Sequence, residues 1–311
     1  MITTLTMNPC VDHTVTLHGL QIGGTNPVEN SRRDYCGKGV NVSVALHQMG
    51  VSTRILCLGH QDGVMEKALG EKEIPYTLIH APGAVRTNLK LFDAEDRVMT
   101  ECNEKGAPLS PDVVEAARRA VADSLRDSQL LAVSGSVPPG VPETFYREIA
   151  GLARETGVPV ILDAKGAQLR YGVEAAPLLI KPNQDELRDA FGICFDTREE
   201  AACACRKLID RYGIGYIALS MGAEGALLVS ERGAWFTRGA EITVRGVQGA
   251  GDSMVAGFCA AFAQGETDGA ALLRVAVAAA NASLEKEGTQ MCTRQEIEML
   301  YPRVSVTPVV F

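Results

Sequence analysis

The sequence predicts an α/β protein in which helices cover a buried, mostly parallel central sheet, with a second, smaller sheet attached. Three observations favour this class. Hydrophobic residues make up 46% of the 311 residues and aromatic residues only 5%, a composition that suits helices packed on a buried sheet. After Ser110, short apolar runs alternate with helical periodicities, as in β-α-β units. Between residues 76 and 101, the runs are short and alternating and have no helices between them.

The individual elements follow from periodicity and from turn residues. A helix that begins at Pro111 has Ser110 as its N-cap, and from there strands and helices alternate, which implies right-handed crossovers. The predicted strands are residues 2–7, 14–17, 32–35, 54–58, 76–80, 86–92, 97–100, 130–133, 158–162, 178–180, 216–219 and 226–229. The other predicted helices are residues 39–49, 143–155, 184–191, 198–212, 251–263 and 268–286.

Composition and charge exclude several classes of function. The formal net charge is −8 and the basic residues are scattered, so we expect no nucleic-acid partner. The nine cysteines are odd in number and form no CxxC pair, which predicts reduced, mostly buried thiols and no structural zinc site. The N-terminus does not resemble a signal peptide, and no apolar stretch is long enough to span a bilayer. We therefore expect a cytoplasmic protein without a membrane partner.

Two glycine-rich turns at helix starts carry the clearest chemical signals. In the first, Gly249, Ala250, Gly251 and Asp252 precede an apolar helix, so backbone N–H groups and the helix dipole favour a bound anion. Asp252 would stand beside that anion as a general base, or it would simply cap the helix. In the second turn, residues 37–41, Lys38 adds a cation, and this segment is either a ligand loop or a surface turn.

Two further loops follow predicted strands. Asn183 and Glu186 either form a helix capping box or lie near a nucleotide phosphate and its Mg²⁺. Residues 220–225 follow the strand at 216–219 and form either a plain hairpin turn or part of a ligand crevice. Because all four segments follow a strand or open a helix, we expect them to converge on one edge of one sheet.

The order of these motifs resembles the ribokinase/PfkB family of carbohydrate kinases along essentially the whole chain. Residues 37–42 resemble its N-terminal signature, residues 249–257 its C-terminal signature, and Asn183 with Glu186 its NxxE motif. The resemblance implies a ribokinase-like three-layer α/β/α sandwich, with one kinase domain over residues 1–311. It also implies a discontinuous β lid formed from about 12–36 and 76–101.

Within the family, the chain most resembles the 1-phosphofructokinase and tagatose-6-phosphate kinase branch. The segments that carry this likeness are TLTMNPCVD at 4–12, RTNLK at 86–90, TECN at 100–103 and SGSVPPG at 134–140. The branch implies phosphoryl transfer from ATP, with Mg²⁺, to a phosphorylated ketohexose. The acceptor that we expect first is fructose 1-phosphate, which would give fructose 1,6-bisphosphate. Tagatose 6-phosphate and fructose 6-phosphate are the alternatives. The branch also implies a homodimer formed through the lid.

The resemblance assigns a role to each matching position. Asp252 is the catalytic base, and the N–H groups of Gly249, Ala250 and Gly251 form an anion hole. The residues implied in substrate binding are Asp12, Gly37, Asn41 and Ser136, with Lys38, Arg86 and Lys90 on the existing phosphate. The residues implied at the ATP site are Lys181, Asn183, Ser220, Gly222, Ala223, Glu224, Gly225 and Asn281, with Glu186 in the outer shell of Mg²⁺.

Three residues depart from the family pattern and leave rival functions open. Cys36 replaces a glycine, Gln248 stands in a segment where the branch has Ser or Thr, and Lys165 stands where Ser is common. One rival is a kinase of an unphosphorylated sugar or nucleoside, which the predicted phosphate-binding cations argue against. Another is a sugar-phosphate-binding regulator that kept the fold without catalysis. A Rossmann dehydrogenase is disfavoured because no GxGxxG follows the first strand.

Overall fold

The computed structural model describes residues 1–311 and contains one large and one small sheet. The strands are β1 Ile2–Thr6, β2 Cys10–Leu17, β3 Asn30–Cys36, β4 Thr53–His60, β5 Tyr76–Ala81, β6 Arg86–Asp93, β7 Val98–Asn103, β8 Leu130–Ser134, β9 Val160–Asp163, β10 Leu179–Ile180, β11 Tyr216–Ser220, β12 Ala226–Ser230, β13 Gly233–Thr237 and β14 Thr307–Val309. In the large sheet, β5-β4-β1-β8-β9-β10-β11 run parallel, and β12, β13 and β14 continue it in antiparallel pairings.

Ten helices cover the two faces of the large sheet. They are α1 Lys38–Gln48, α2 Val64–Gly70, α3 Pro111–Leu125, α4 Phe145–Glu155, α5 Gly166–Gly172, α6 Gln184–Phe191, α7 Arg198–Tyr212, α8 Ala250–Ala263, α9 Gly269–Leu284 and α10 Arg294–Leu300. Helices α3 to α7 pack on one face, and α1, α2, α8, α9 and α10 pack on the other. The predicted three-layer α/β/α arrangement is therefore confirmed. None of these helices is long and apolar enough to cross a membrane.

The central strands contribute side chains to both cores, because these side chains alternate between the two faces of the sheet. In β8, Leu130 and Ala132 join the core beneath α8 and α9, whereas Leu131 and Val133 join the core beneath α3 and α4. Every residue of this strand is buried. A strand that is covered on both sides reads as a continuous apolar run, which is why the sequence predicted it closely.

The small sheet has four strands in the order β3-β2-β6-β7, as a separate small sheet was expected. Our assignment of residues 76–80 to this sheet is wrong, because β5 pairs in parallel with β4 at the edge of the large sheet. Helix α2, which the pattern did not predict, makes the crossover between them. On this edge strand, His80 is exposed between the buried Ile79 and Ala81, and this alternation imitates a strand of the small sheet. The second lid segment therefore covers 86–103 rather than 76–101.

The remaining elements that the sequence did not predict are all short. They are β13, β14, α2, α5 and α10, none of which exceeds seven residues. Two helical turns hold too few residues to establish a period. The edges of the large sheet therefore differ from the prediction. Its centre, where the predicted motifs lie, agrees with it.

Candidate active site

A cavity of about 390 Å³ lies at the carboxyl edge of the parallel strands, between the large sheet and the small one. The loops that follow β1, β8 and β9 reach it, together with the starts of α1 and α8. This is where an open parallel sheet places its ligand crevice. The predicted site residues that line it are Asp12, Gly37, Lys38, Asn41, Arg86, Lys90, Ser136, Glu186, Gly249 and Asp252.

Asp252 is a buried carboxylate in the first turn of α8. Its Oδ2 accepts a hydrogen bond of 2.7 Å from the Asn41 side-chain amide, which comes from α1. Burial raises the pKa of Asp252 to about 6, and the nearby negative charge of Asp163 acts in the same direction. Lys38 and the Asn41 hydrogen bond oppose this rise in pKa. A carboxylate with a pKa near neutrality is suited to accept a proton at physiological pH.

The turn before Asp252 offers free backbone donors. Gly249 has a φ of 75°, which is the left-handed region that glycine adopts at low cost, and α8 starts immediately after it. The N–H groups of Gly249, Ala250 and Gly251 have no acceptor within the protein. Together with the positive end of the helix dipole, these donors can hold an anion next to Asp252.

Asp163, at the carboxyl end of β9, joins two lysines beside this turn. Its fully buried carboxylate lies 3.0 Å from Lys38 Nζ and 3.2 Å from Lys181 Nζ. Burial alone would raise the pKa of Asp163, but Lys181 and Lys38 hold it below the ordinary value. Burial disfavours charge on Lys38, yet the attraction of Asp163 and Asp252 raises its pKa. Lys38 therefore remains charged next to this turn.

The small sheet supplies the opposite wall of the cavity. Lys90 Nζ lies 2.5 Å from Asp12 Oδ2, and Asn88 donates to Asp12 Oδ1 over 2.9 Å. Burial alone would raise the pKa of Asp12, but the hydrogen bond and positive charge of Lys90 contribute to a net lowering. The carboxylate is therefore ionised. Arg86 donates to the carbonyl oxygens of Asn8 and Glu104 and to the Asn88 side chain. These bonds fix the guanidinium at the cavity wall and leave one of its Nη2 hydrogens without a protein acceptor.

The three cations predicted to act on one phosphate thus have separate protein partners. Lys38 pairs with Asp163 on the large sheet, whereas Lys90 pairs with Asp12 on the small sheet. Arg86 is held mainly by backbone carbonyls. All three still face the same cavity. The arrangement spreads positive charge over both walls instead of concentrating it in one cluster.

The structure confirms the capping-box alternative for Asn183 and Glu186. The two side chains form the capping box of α6, with Asn183 Oδ1 accepting from the Glu186 N–H and Glu186 Oε2 accepting from the Asn183 N–H. Glu186 also lines the cavity, and its Oε1 accepts no hydrogen bond from the protein. The capping role therefore leaves one carboxylate oxygen available to a ligand.

The other residues predicted for the nucleotide lie outside the cavity, in neighbouring loops and in α9. Ser220 is bridged to Asn183 through the backbone, and residues 222–225 make the exposed turn of the β11–β12 hairpin. Buried Asn281 accepts a hydrogen bond of 2.8 Å from the Ala240 N–H, so it ties the loop after β13 to α9. Lys181 forms an ion pair with Asp163, which lines the cavity.

Several residues of the site were not predicted. Asn8, Asn88, Glu101, Asn103 and Asp163 all line the cavity. Asp163 ends a buried strand, a position that by itself points to the ligand edge of a parallel sheet. The others lie in the segments whose likeness to the family was noted, yet no role was assigned to them. The three departures, Cys36, Lys165 and Gln248, also line the cavity.

The chain matches known carbohydrate kinases along nearly its whole length. A model described as the pfkB family carbohydrate kinase matches residues 5–296. The 1-phosphofructokinase of Bacillus subtilis is 31% identical over 310 residues, covering 99% of both chains. That of Escherichia coli is 30% identical over 314 residues, covering 99% of this chain and 98% of the relative. The solved phosphofructokinase-2 of Escherichia coli with substrates and products has a TM-score of 0.90 at 23% identity, covering 97% of this chain and 98% of that one, which confirms the fold.

Proposed function

Because the chain belongs to the pfkB family of carbohydrate kinases, we propose that it transfers the γ-phosphoryl group of ATP to fructose 1-phosphate, giving fructose 1,6-bisphosphate. The observation that carries the proposal is the buried Asp252 carboxylate beside three free backbone N–H groups, in a cavity with cations on both walls. The relatives named 1-phosphofructokinase support this choice of acceptor. The proposal places the reaction in the cytoplasm, as composition predicts.

The proposed chemistry is an in-line displacement at the γ-phosphorus. The free C6 hydroxyl oxygen of the sugar attacks, the bond from phosphorus to the β,γ-bridging oxygen breaks, and ADP leaves. Asp252 accepts the hydroxyl proton, because its carboxylate lies at the cavity and is oriented by the hydrogen bond from Asn41. The N–H groups of residues 249–251 stabilise the negative charge on the transferring group.

The lid wall is proposed to hold the sugar phosphate. Asp12, ionised and positioned by Lys90 and Asn88, accepts hydrogen bonds from sugar hydroxyls, with Asn41 and the Gly37 backbone opposite it. Arg86 and Lys90 bind the existing phosphate from this side. Lys38 lies close enough to Asp252 to affect its pKa. We therefore place Lys38 between the two phosphoryl groups rather than on the first alone.

The residues present fit a Mg²⁺ ion bound with ATP. Mg²⁺ prefers oxygen ligands and retains several waters, and the free Oε1 of Glu186 is an oxygen acceptor at the cavity. When bound, the ion would neutralise charge on the ATP phosphates. Glu186 would hold its outer shell. Lys181, Asn183, Ser220, residues 222–225 and Asn281 are proposed to line the remainder of the nucleotide site. Lys181 lies beside Gly251, Asn183 is bridged to Ser220, and Ser220 leads into the turn at 222–225.

The ionisation of Asp252 predicts how activity depends on pH. Since the pKa of Asp252 is about 6 and the base must be ionised, kcat/KM should fall about tenfold per pH unit below that value. Asn41 donates a hydrogen bond that lowers this pKa, so Asn41→Ala should move the acidic limb to higher pH. Steady-state rates from pH 5 to 8 measure the acidic limb in the wild type and in the variant. The substrate phosphate titrates in the same way with the wild type and with Asn41→Ala. An unchanged acidic limb in the variant would therefore contradict the assignment of Asp252 as the base.

The substrate is tested by ADP release with Mg·ATP against a panel of acceptors. We expect the highest kcat/KM for fructose 1-phosphate, compared with fructose 6-phosphate, tagatose 6-phosphate, fructose and ribose. A higher value for either other phosphosugar would change the acceptor and preserve the mechanism. A higher value for fructose or ribose would overturn the role given to the lid cations.

We further propose that the lid joins two copies of the chain. Of the ten exposed large hydrophobic residues, four lie on the lid segments, namely Ile22, Val28, Tyr35 and Val98. Light scattering should therefore give about twice the chain mass of 33.2 kDa. Ile22→Asp should shift the mass toward the monomer, whereas Met299→Asp, at an exposed position of α10 away from the lid, should not. A monomeric wild type would refute the proposed dimer.

A further inference from the structure

Two cysteines and an aspartate meet at the floor of the cavity. Cys10 and Cys36 are directly opposite each other in the antiparallel pairing of β2 with β3, although 26 positions separate them in the chain. Their sulfur atoms are 3.6 Å apart, and Cys10 Sγ donates to Asp12 Oδ1 over 3.4 Å. One ligand atom from each of the three residues lies within 4.8 Å of the others. All three side chains are buried in the fold, yet all three line the cavity.

We propose that Cys10, Cys36 and Asp12 form a binding site for a zinc ion. In a tetrahedral zinc site with ordinary bond lengths, two sulfur ligands are about 3.8 Å apart and a sulfur and an oxygen ligand are about 3.5 Å apart. The observed separations of 3.6 Å and 3.4 Å are close to these values. Two of the three separations therefore match a zinc site, and the third, from Cys36 to Asp12, is within 4.8 Å. The fourth ligand, a water, comes from the cavity.

The charges at this site balance when zinc is bound. Two thiolates and the Asp12 carboxylate carry three negative charges, of which the ion neutralises two. The Lys90 ammonium, 2.5 Å from Asp12 Oδ2, neutralises the third. The metal would bond to the other carboxylate oxygen, which now accepts from Cys10 and Asn88. A buried site with no net charge avoids most of the cost of desolvating an ion.

Zinc binding replaces two thiol protons, which leave to solvent. Binding should strengthen as pH rises, because protons and the metal compete for the same sulfur atoms. The chain has no CxxC pair, and only the pairing of β2 with β3 brings the two sulfurs together.

Occupation of the site would block the sugar phosphate. Asp12 is the carboxylate that we propose for the sugar hydroxyls, so one oxygen cannot serve both the metal and the sugar. This consequence rests on the proposed function, whereas zinc binding does not. Zinc should therefore inhibit in competition with fructose 1-phosphate and not with ATP.

The site is tested by binding zinc alone to the full chain, reduced and freed of metal. We expect about one high-affinity zinc per chain by calorimetry, and thiolate-to-cobalt charge-transfer bands when Co²⁺ replaces zinc. Cys10→Ser and Cys36→Ser should each weaken zinc binding at least about tenfold and remove these bands. Cys36→Gly, which restores the residue usual in the family, serves as a second variant if the serine forms do not fold.

The control is Cys203→Ser, because Cys203 is an exposed thiol on α7, far along the chain from the cluster. It should bind zinc as the wild type does. Absence of stoichiometric binding in the wild type would overturn the site, and so would full binding in both Cys36 variants. Zinc binding without inhibition would retain the metal site and refute the proposed use of Asp12 by the sugar.

Discussion

Asp252→Asn should reduce kcat by about 10² to 10⁴-fold while ATP still binds with nearly unchanged affinity. A positioned general base contributes about this much to a rate. The asparagine has the same shape and can still accept from Asn41, which now donates to the carboxylate over 2.7 Å. It cannot, however, take a proton from the sugar hydroxyl. Steady-state kinetics and calorimetric titration with ATP measure the two effects separately.

A matched control for this variant is available in another helix. Asp112 also lies in the first turn of its helix, α3, but is exposed and away from the cavity. Asp112→Asn should leave kcat within about twofold, since substitutions of exposed residues away from the active-site cavity have small effects. Near-normal turnover in Asp252→Asn would remove the carboxylate from the chemistry and leave it only a structural role at the helix start.

Arg86→Ala should raise the KM for fructose 1-phosphate about 10- to 100-fold and leave the KM for ATP within about twofold. A hydrogen bond to a charged group contributes about 1.5–3 kcal/mol, and each 1.4 kcal/mol is a factor of ten. The guanidinium is fixed by the carbonyl oxygens of Asn8 and Glu104, so it is oriented before the substrate arrives. Separate titrations of the two substrates give both KM values.

Two further variants sharpen this test. Arg86→Lys keeps the charge but loses the fork of N–H donors, so its KM should lie between those of the wild type and of Arg86→Ala. Arg119→Ala removes an exposed arginine of α3 and should change neither KM. An unchanged KM for fructose 1-phosphate in Arg86→Ala would favour the rival kinase of an unphosphorylated sugar.

The centre of the fold could be predicted because its strands are covered on both faces. Residues 130–133 form a continuous apolar run, and the structure places β8 there. At the edge of the sheet the same reasoning failed. In β5, Tyr76 and His80 are exposed while Ile79 is buried, a pattern that a lid strand would also show. Which sheet an alternating strand joins depends on partners distant in sequence, and local periodicity does not contain that information.

The site could be predicted where its chemistry lies within a few consecutive residues. The turn at 249–252 combines its glycines, free N–H groups and carboxylate in one segment, and all of them lie at the N-terminal end of α8. Asp163 escaped prediction because its partners, Lys38 and Lys181, come from other parts of the chain. The Cys10–Cys36 pair escaped for the same reason. Contacts of this kind are set by tertiary pairing.

Product analysis after incubation of the wild type with Mg·ATP and fructose 1-phosphate tests the proposed reaction itself. Phosphorus NMR identifies the product while a coupled assay counts ADP. We expect one fructose 1,6-bisphosphate for each ADP, and almost none from Asp252→Asn. Release of ADP without the bisphosphate, or equal rates in the two proteins, would contradict it.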